Sequence, residues 1–156
     1  DSVAHLATKV GQDLAIAMGL CGTLTAELFW LEDDSIVVNE LAPRVHNSGH
    51  WTLEGAETSQ FEQHIRAITG LGLGSPAALS PTAVVNLLGT GPNRDAHLDG
   101  LGEALADPSV HLHLYDKRRV FDRRKMGHVT AIGTDVEIAL ERARLARAAM
   151  HWEGGS

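Results

Sequence analysis

Leu24-Thr25-Ala26-Glu27-Leu28-Phe29-Trp30-Leu31-Glu32-Asp33-Asp34-Ser35-Ile36-Val37-Val38-Asn39-Glu40-Leu41 is two alternating runs, rich in β-branched and aromatic residues, on either side of an acidic turn. Alternation on both flanks of a short Asp-Asp-Ser segment predicts a β-hairpin, with strands over 24–31 and 36–41. If Asp33 and Asp34 are the two loop residues, facing positions have numbers with a constant sum, which sets Glu27 directly opposite Glu40. Like charges across a ladder are destabilising, so both carboxylates must point into water or share a cation such as Mg²⁺. Periodicity alone favours water.

Outward from the hairpin, Val3, Leu6, Ala7, Val10, Leu14, Ala17 and Met18 form a helical stripe that stops at Gly19. The chain starts at Asp1 rather than Met, with no cap ahead of that stripe, and reads as a piece of a longer protein. On the other side, residues 41–58 form a loop crowded with hydrogen-bonding side chains. Ser59 and Glu62 have capping-box spacing, which predicts a helix ending at Gly70, with Phe61, Ile65 and Ile68 on one face. The Gly-rich run 70–74 follows a helix and precedes Ser75-Pro76, so it reads as a linker rather than a phosphate loop.

Beyond Pro81 the pattern predicts strands over 83–88, 110–115 and 127–132. It also predicts a helix over 98–106, and a last helix capped by Thr134 with Glu137. The tail 153–156 reads as frayed. Together these give an α+β arrangement without repeats, divided into residues 1–74 and 82–152.

Composition narrows the function classes. The 156 residues carry a net charge of −7, which argues against general nucleic-acid binding. Within that acidic chain, Lys117, Arg118, Arg119, Arg123, Arg124 and Lys125 face one acid, Asp122, and suit a small, highly charged anion. No apolar run approaches the roughly 20 residues of a membrane span. The single cysteine, Cys21, leaves no internal disulfide, and a cytoplasmic location is expected. His46 with His50, or His111 with His113, offers a weak zinc alternative without a third ligand at suggestive spacing.

The loop Asn39-Glu40-Leu41-Ala42-Pro43-Arg44-Val45-His46-Asn47-Ser48-Gly49-His50-Trp51-Thr52 closely resembles the signature loop of the 5-(carboxyamino)imidazole ribonucleotide synthase family, ATP-grasp ligases of purine biosynthesis. The resemblance continues through residues 57–68, Asn86-Leu87-Leu88-Gly89, His111-Leu112-His113-Leu114-Tyr115-Asp116-Lys117 and Arg124-Lys125-Met126-Gly127-His128. It implies the C-terminal part of an ATP-grasp domain (helix, hairpin, helix) followed by a small closing module. The implied reaction uses ATP to activate bicarbonate as carboxyphosphate and carboxylates aminoimidazole ribonucleotide, in a cytoplasmic homodimer.

Carried onto this sequence, the resemblance makes Glu27, Asn39 and Glu40 the Mg-nucleotide set, with Glu27 and Glu40 as metal ligands. Arg44 and His46 fall at the catalytic centre. Arg44 grips bicarbonate or the developing carboxyphosphate, while His46, Asn47 and Ser48 complete the substrate side, with the proton-accepting role open among them. Lys117, Arg124 and Lys125 receive the ribonucleotide phosphate, and Arg119 and Arg123 compete for one further position. Relatives commonly place Pro-Gly before the Arg-Lys pair, where this chain has Val120-Phe121-Asp122-Arg123. The upstream nucleotide-contacting region has no counterpart here, so the chain by itself is expected to show little or no ligase activity. Competing readings are an ATP-grasp ligase with another acceptor and a noncatalytic binding or dimerisation piece.

Overall fold

The computed structural model describes residues 2–154. Contacts divide the chain into two compact units, one comprising residues up to His50 with Glu57–Pro76, the other Trp51–Ala56 with residues from Ala77 onward.

The first unit opens with α1 (Ser2–Ala17). Gly19 takes a left-handed conformation, φ 57°. There the Leu20 amide donates to the Ala15 carbonyl and the Gly19 amide to that of Ile16, closing the helix with a Schellman motif. The predicted hairpin follows as β1 (Thr25–Trp30) and β2 (Ile36–Ala42), paired antiparallel. Glu27 does stand opposite Glu40, but by a different route from the one the pattern suggests. The turn is one residue longer, with Leu31 bonded to Ser35 across Glu32, Asp33 and Asp34, and Asp34 left-handed at φ 61°. A bulge between Glu27 and Leu28 then leaves Asn39 as the extra residue and restores the register.

The loop after β2 is more ordered than expected. It holds a 3₁₀ turn over Asn47–Gly49 and a single helical turn, α2 (Thr52–Gly55). Helix α3 (Gln60–Ile68) starts as predicted, with the Ser59 hydroxyl accepting from the Glu62 amide, and ends at Gly70 in a second Schellman closure. The Gly-rich run is tied back to α3 by the Gln63 carboxamide, which donates to the Gly74 carbonyl and accepts from its amide.

The second unit contains α2 together with β3 (Thr82–Leu88), β4 (Arg94–Asp95), β5 (Leu98–Asp99), α4 (Leu101–Ala104), β6 (Val110–Leu114), β7 (Arg119–Val120), β8 (Lys125–Ile132), α5 (Val136–Ala149) and β9 (His151–Trp152). Its centre is an antiparallel sheet in the order β3-β8-β6. Period-two alternation gives that sheet two unlike faces. Leu87, Val129, Ala131 and Val110 point into the core with Met150 and Trp152, where the small Ala143 and Ala146 let α5 approach closely. The other face carries Asn86, His128 and His113 side by side, and next to them Val84, Thr130 and His111.

Four sequence expectations need correction in this unit. Leu98 and Asp99 form β5 against β9, and only Leu101–Ala104 is helical, because Gly100 at φ 87° breaks the run. The cap of α5 is Asp135 rather than Thr134; its carboxylate accepts from the Ile138 amide, while Thr134 bonds to that carboxylate. Strand β8 begins two residues early, at Lys125. The tail is also tied down as far as Glu153, whose amide donates to the His97 carbonyl and whose carbonyl accepts from Arg94; residues 155–156 lie outside the described ones.

Candidate functional site

In the first unit, the hairpin register aligns Glu27 with Glu40, both exposed, and the bulge turns Asn39 toward them. The Asn39 amide donates to Glu27 Oε2 at 3.4 Å. His46 Nε2 lies 3.8 Å from Glu27 Oε1. The other ring nitrogen fixes the tautomer. Nδ1 accepts from the Ser48 amide at 3.3 Å and lies 3.0 Å from its hydroxyl, so a neutral imidazole carries its proton on Nε2, aimed at Glu27.

What holds this loop is a residue that sequence reasoning missed. Gln60, in the first turn of α3, accepts from the His46 amide at 3.0 Å and donates to the His46 carbonyl at 2.8 Å. The same amide nitrogen lies 2.9 Å from His50 Nδ1. A Cβ at Gly49 would collide with that carboxamide, which explains a glycine there. The only signal for this role was a long amide side chain right after an N-cap. His50 stacks on Phe61 with ring centroids 5.6 Å apart. Arg44 is exposed and bonds locally to the Val45 carbonyl, while Asn47 opens the 3₁₀ turn and its carbonyl accepts from the His50 amide.

Oxygen donors from Glu27, Glu40 and Asn39 on one ribbon suit a hard divalent cation, which would offset the repulsion between the two opposed, exposed carboxylates. Among the described residues, no group of three or more His, Cys, Asp or Glu side chains is gathered as for a metal ion, so the zinc pairing has no third ligand. In donor chemistry the residues present fit a Mg-nucleotide, whose phosphates would supply the remaining oxygens. Asp33, at the tip of the hairpin, accepts from the Ser35 hydroxyl and amide, and those bonds hold its carboxyl below the usual range.

In the second unit the basic stretch is a built loop rather than a solvated run. β7 pairs with β4, and Arg119 is anchored by Asp95 at 2.8 Å and by Asn93 at 3.1 Å. Arg124 donates to the Arg119 carbonyl at 2.6 Å and lies over the Phe121 ring at 5.0 Å. Lys117 donates to the Lys125 carbonyl and sits 5.6 Å over the Tyr115 ring. Lys117, Arg124 and Lys125 are thus interlinked through the backbone of one loop. Arg123 takes a left-handed conformation at φ 63° and is exposed. Of the two competing arginines, Arg119 already has a carboxylate partner.

Residues 1–61 match the ATP-grasp domain family, and residues 82–142 match the phosphoribosylaminoimidazole carboxylase C-terminal domain family. The N5-carboxyaminoimidazole ribonucleotide synthase of Mycobacterium tuberculosis is 42% identical over 157 residues, covering 97% of this chain and 35% of that protein. That of Bacillus subtilis is 46% identical over 131 residues, 81% of this chain and 31% of that protein. Among solved structures, the synthetase from Thermotoga maritima superposes with a TM-score of 0.89 at 43% identity, covering 97% of this chain and 43% of that one. The enzyme from Aspergillus clavatus in complex with ADP and 5-aminoimidazole ribonucleotide gives 0.68 at 36% identity, over 82% of this chain and 35% of that one. The chain spans about a third of the length of the curated relatives it matches. Among the described residues no helix is long and apolar enough to cross a membrane.

Proposed function

The chain belongs to the N5-carboxyaminoimidazole ribonucleotide synthase family, and from that premise we propose that it forms part of an ATP-dependent ligase carboxylating aminoimidazole ribonucleotide with bicarbonate in purine biosynthesis. The observation that carries the reading is the facing pair Glu27 and Glu40 with Asn39 bulged beside them. In that reading these three residues hold Mg²⁺ and the nucleotide phosphates, and the bound metal supplies charge neutralisation as phosphate charge develops. Residues 1–74 are assigned to the ATP-grasp portion and 82–152 to the closing module.

Each remaining side chain takes a role from its own chemistry. The planar fork of Arg44 grips bicarbonate and then the carboxyphosphate that replaces it, stabilising negative charge without changing protonation. His46 presents an Nε2 proton toward Glu27 and an Nδ1 satisfied by Ser48, so it orients substrate by donation, and Gln60 keeps it there. Asn47 and Ser48 supply neutral polar contacts to the acceptor. Lys117, Arg124 and Lys125 bind the doubly charged phosphate of the ribonucleotide. Arg123 is the fitter of the two loop arginines for the further anion contact, because Arg119 is committed to Asp95. The exposed thiol of Cys21 suits a reducing cytoplasm, and homodimerisation, implied by family resemblance, belongs to the same proposal.

The test is ADP formation and incorporation of labelled bicarbonate by the complete gene product, each dependent on aminoimidazole ribonucleotide. Loss of both in Arg44→Ala supports the reading; ADP formation indifferent to the ribonucleotide overturns it. The 156-residue chain alone is expected to show little or no turnover.

A further inference from the structure

Four polar side chains on the α2-covered face of the sheet lie outside the chemistry above. Tyr115, one residue past β6, has its hydroxyl 2.9 Å from His128 Nδ1 on β8. His128 stacks on His113 of β6, with centroids 4.5 Å apart and planes 16° from parallel. His113 Nε2 in turn lies 2.6 Å from Glu54 Oε1 on α2. His128 is 2% exposed, and the side chain of Glu54 retains 12% of its exposure. Ionisable groups are costly to bury and are retained where a specific geometry depends on them.

That geometry lies at the mouth of the basic loop. Tyr115 precedes Lys117 by two residues, with a left-handed Asp116 at φ 49° between them. His128 follows Lys125 by three residues, across a bulge at Met126 where Leu87 faces Gly127 but Leu88 faces Lys125. A bond from Tyr115 to His128 therefore ties the strand entering the loop to the strand leaving it. The stacked His113, pinned by Glu54, fixes the plane of the His128 ring. Burial pushes the Tyr115 phenol up, and its hydroxyl shares one hydrogen bond with His128 Nδ1.

The geometry points to Tyr115, His128, His113 and Glu54 as positioning residues that set the spacing of Lys117, Arg124 and Lys125 and so determine affinity for the phosphorylated acceptor. This rests on the functional reading above and adds to it a set of residues that act through the cations without touching the substrate. Convergent cations bind a compact dianion strongly only when their spacing is held before the ligand arrives, so loosening the mouth of the loop weakens binding of that one substrate. Nucleotide affinity, assigned to the hairpin, does not depend on it.

The experiment is steady-state kinetics of the complete gene product with ATP and aminoimidazole ribonucleotide varied in turn. Tyr115→Phe keeps the ring and removes the hydroxyl. It is expected to raise KM for the ribonucleotide roughly three- to tenfold, the range for one hydrogen bond, with kcat and KM for ATP nearly unchanged. Glu54→Ala has a similar or larger effect, and Glu54→Gln, which still accepts from His113, recovers most of it. Thr130→Val, on the same sheet face but outside the network, leaves both KM values alone. An unchanged ribonucleotide KM in Tyr115→Phe overturns the assignment, as does an equal rise in both KM values or the same rise in Thr130→Val. Should the wild-type protein show no ribonucleotide-dependent turnover, the functional reading falls and takes the assignment with it.

Discussion

Replacing Glu40 by Gln should stabilise the protein without metal and destabilise it, relative to wild type, when magnesium is present. Directly opposed residues in an antiparallel pair have Cα atoms about 4.5–5.5 Å apart. With Glu27 and Glu40 in that relation, two charges about 6 Å apart in water repel by about 0.7 kcal/mol. The Glu27 side chain is 47% exposed, so salt screens the pair and leaves about 0.5 kcal/mol of strain. For a chain of this size that corresponds to a rise in Tm of about 1–2 °C in Glu40→Gln when EDTA is present. At a magnesium concentration about ten times Kd, the wild type gains about 1.4 kcal/mol, or about 3–6 °C, and the variant gains little. The two melting curves, followed by circular dichroism, should exchange order between EDTA and magnesium. Equal magnesium shifts in both proteins, or a variant already less stable in EDTA, would refute the shared-cation reading of the hairpin.

Three further outcomes follow from other sites. The buried hydroxyl of Thr130 has no hydrogen-bond partner among the described residues, so Thr130→Val should raise stability by about 1 kcal/mol in urea titration. A Cβ at Gly127 would run into the His113 carbonyl oxygen of the neighbouring strand; Gly127→Ala should cost about 1–3 kcal/mol, read from the denaturation midpoint at constant slope. Asp33 titrates below its ordinary value of 3.8 because Ser35 bonds favour its charged form. Its contribution is therefore complete above that pH and lost as pH falls through the lower folded value. Asp33→Asn should remove that part of the acid-side decline, and an unaltered acid limb between about pH 2 and 4 would count against the turn bonds.

Much of the framework was legible because it follows regular periods. The stripe of α1 ending at Gly19, the Ser59 cap of α3 and the central strands of the second unit all appear where alternation or 3.6-residue spacing places them. Failures fall where a local bond outbids the pattern. Gly100 turns left-handed and ends a helical run before it starts, and Asp135, one residue beyond Thr134, has the better reach to the Ile138 amide. Gln60 was invisible for another reason: its backbone partners are the amide and carbonyl of His46, 14 positions earlier, and side-chain-to-backbone bonds leave no periodic trace.

The hairpin shows why the candidate site was only half legible. Two departures from ideal pairing, the longer turn at Asp34 and the extra residue at Asn39, cancel in the number sum, so Glu27 met Glu40 although the assumed turn was wrong. A single departure would have offset the carboxylates along the ladder and separated the oxygen donors. The second unit repeats the arrangement, with left-handed Asp116 and Arg123 and the bulge at Met126 all placed around Lys117, Arg124 and Lys125. Bulges and left-handed residues re-aim side chains that a regular strand would spread over alternate faces, and the proposed convergence of like charges on one ligand rests on that re-aiming. Periodicity therefore identifies the residue types of such a site, while their convergence depends on backbone irregularities that periodicity does not encode.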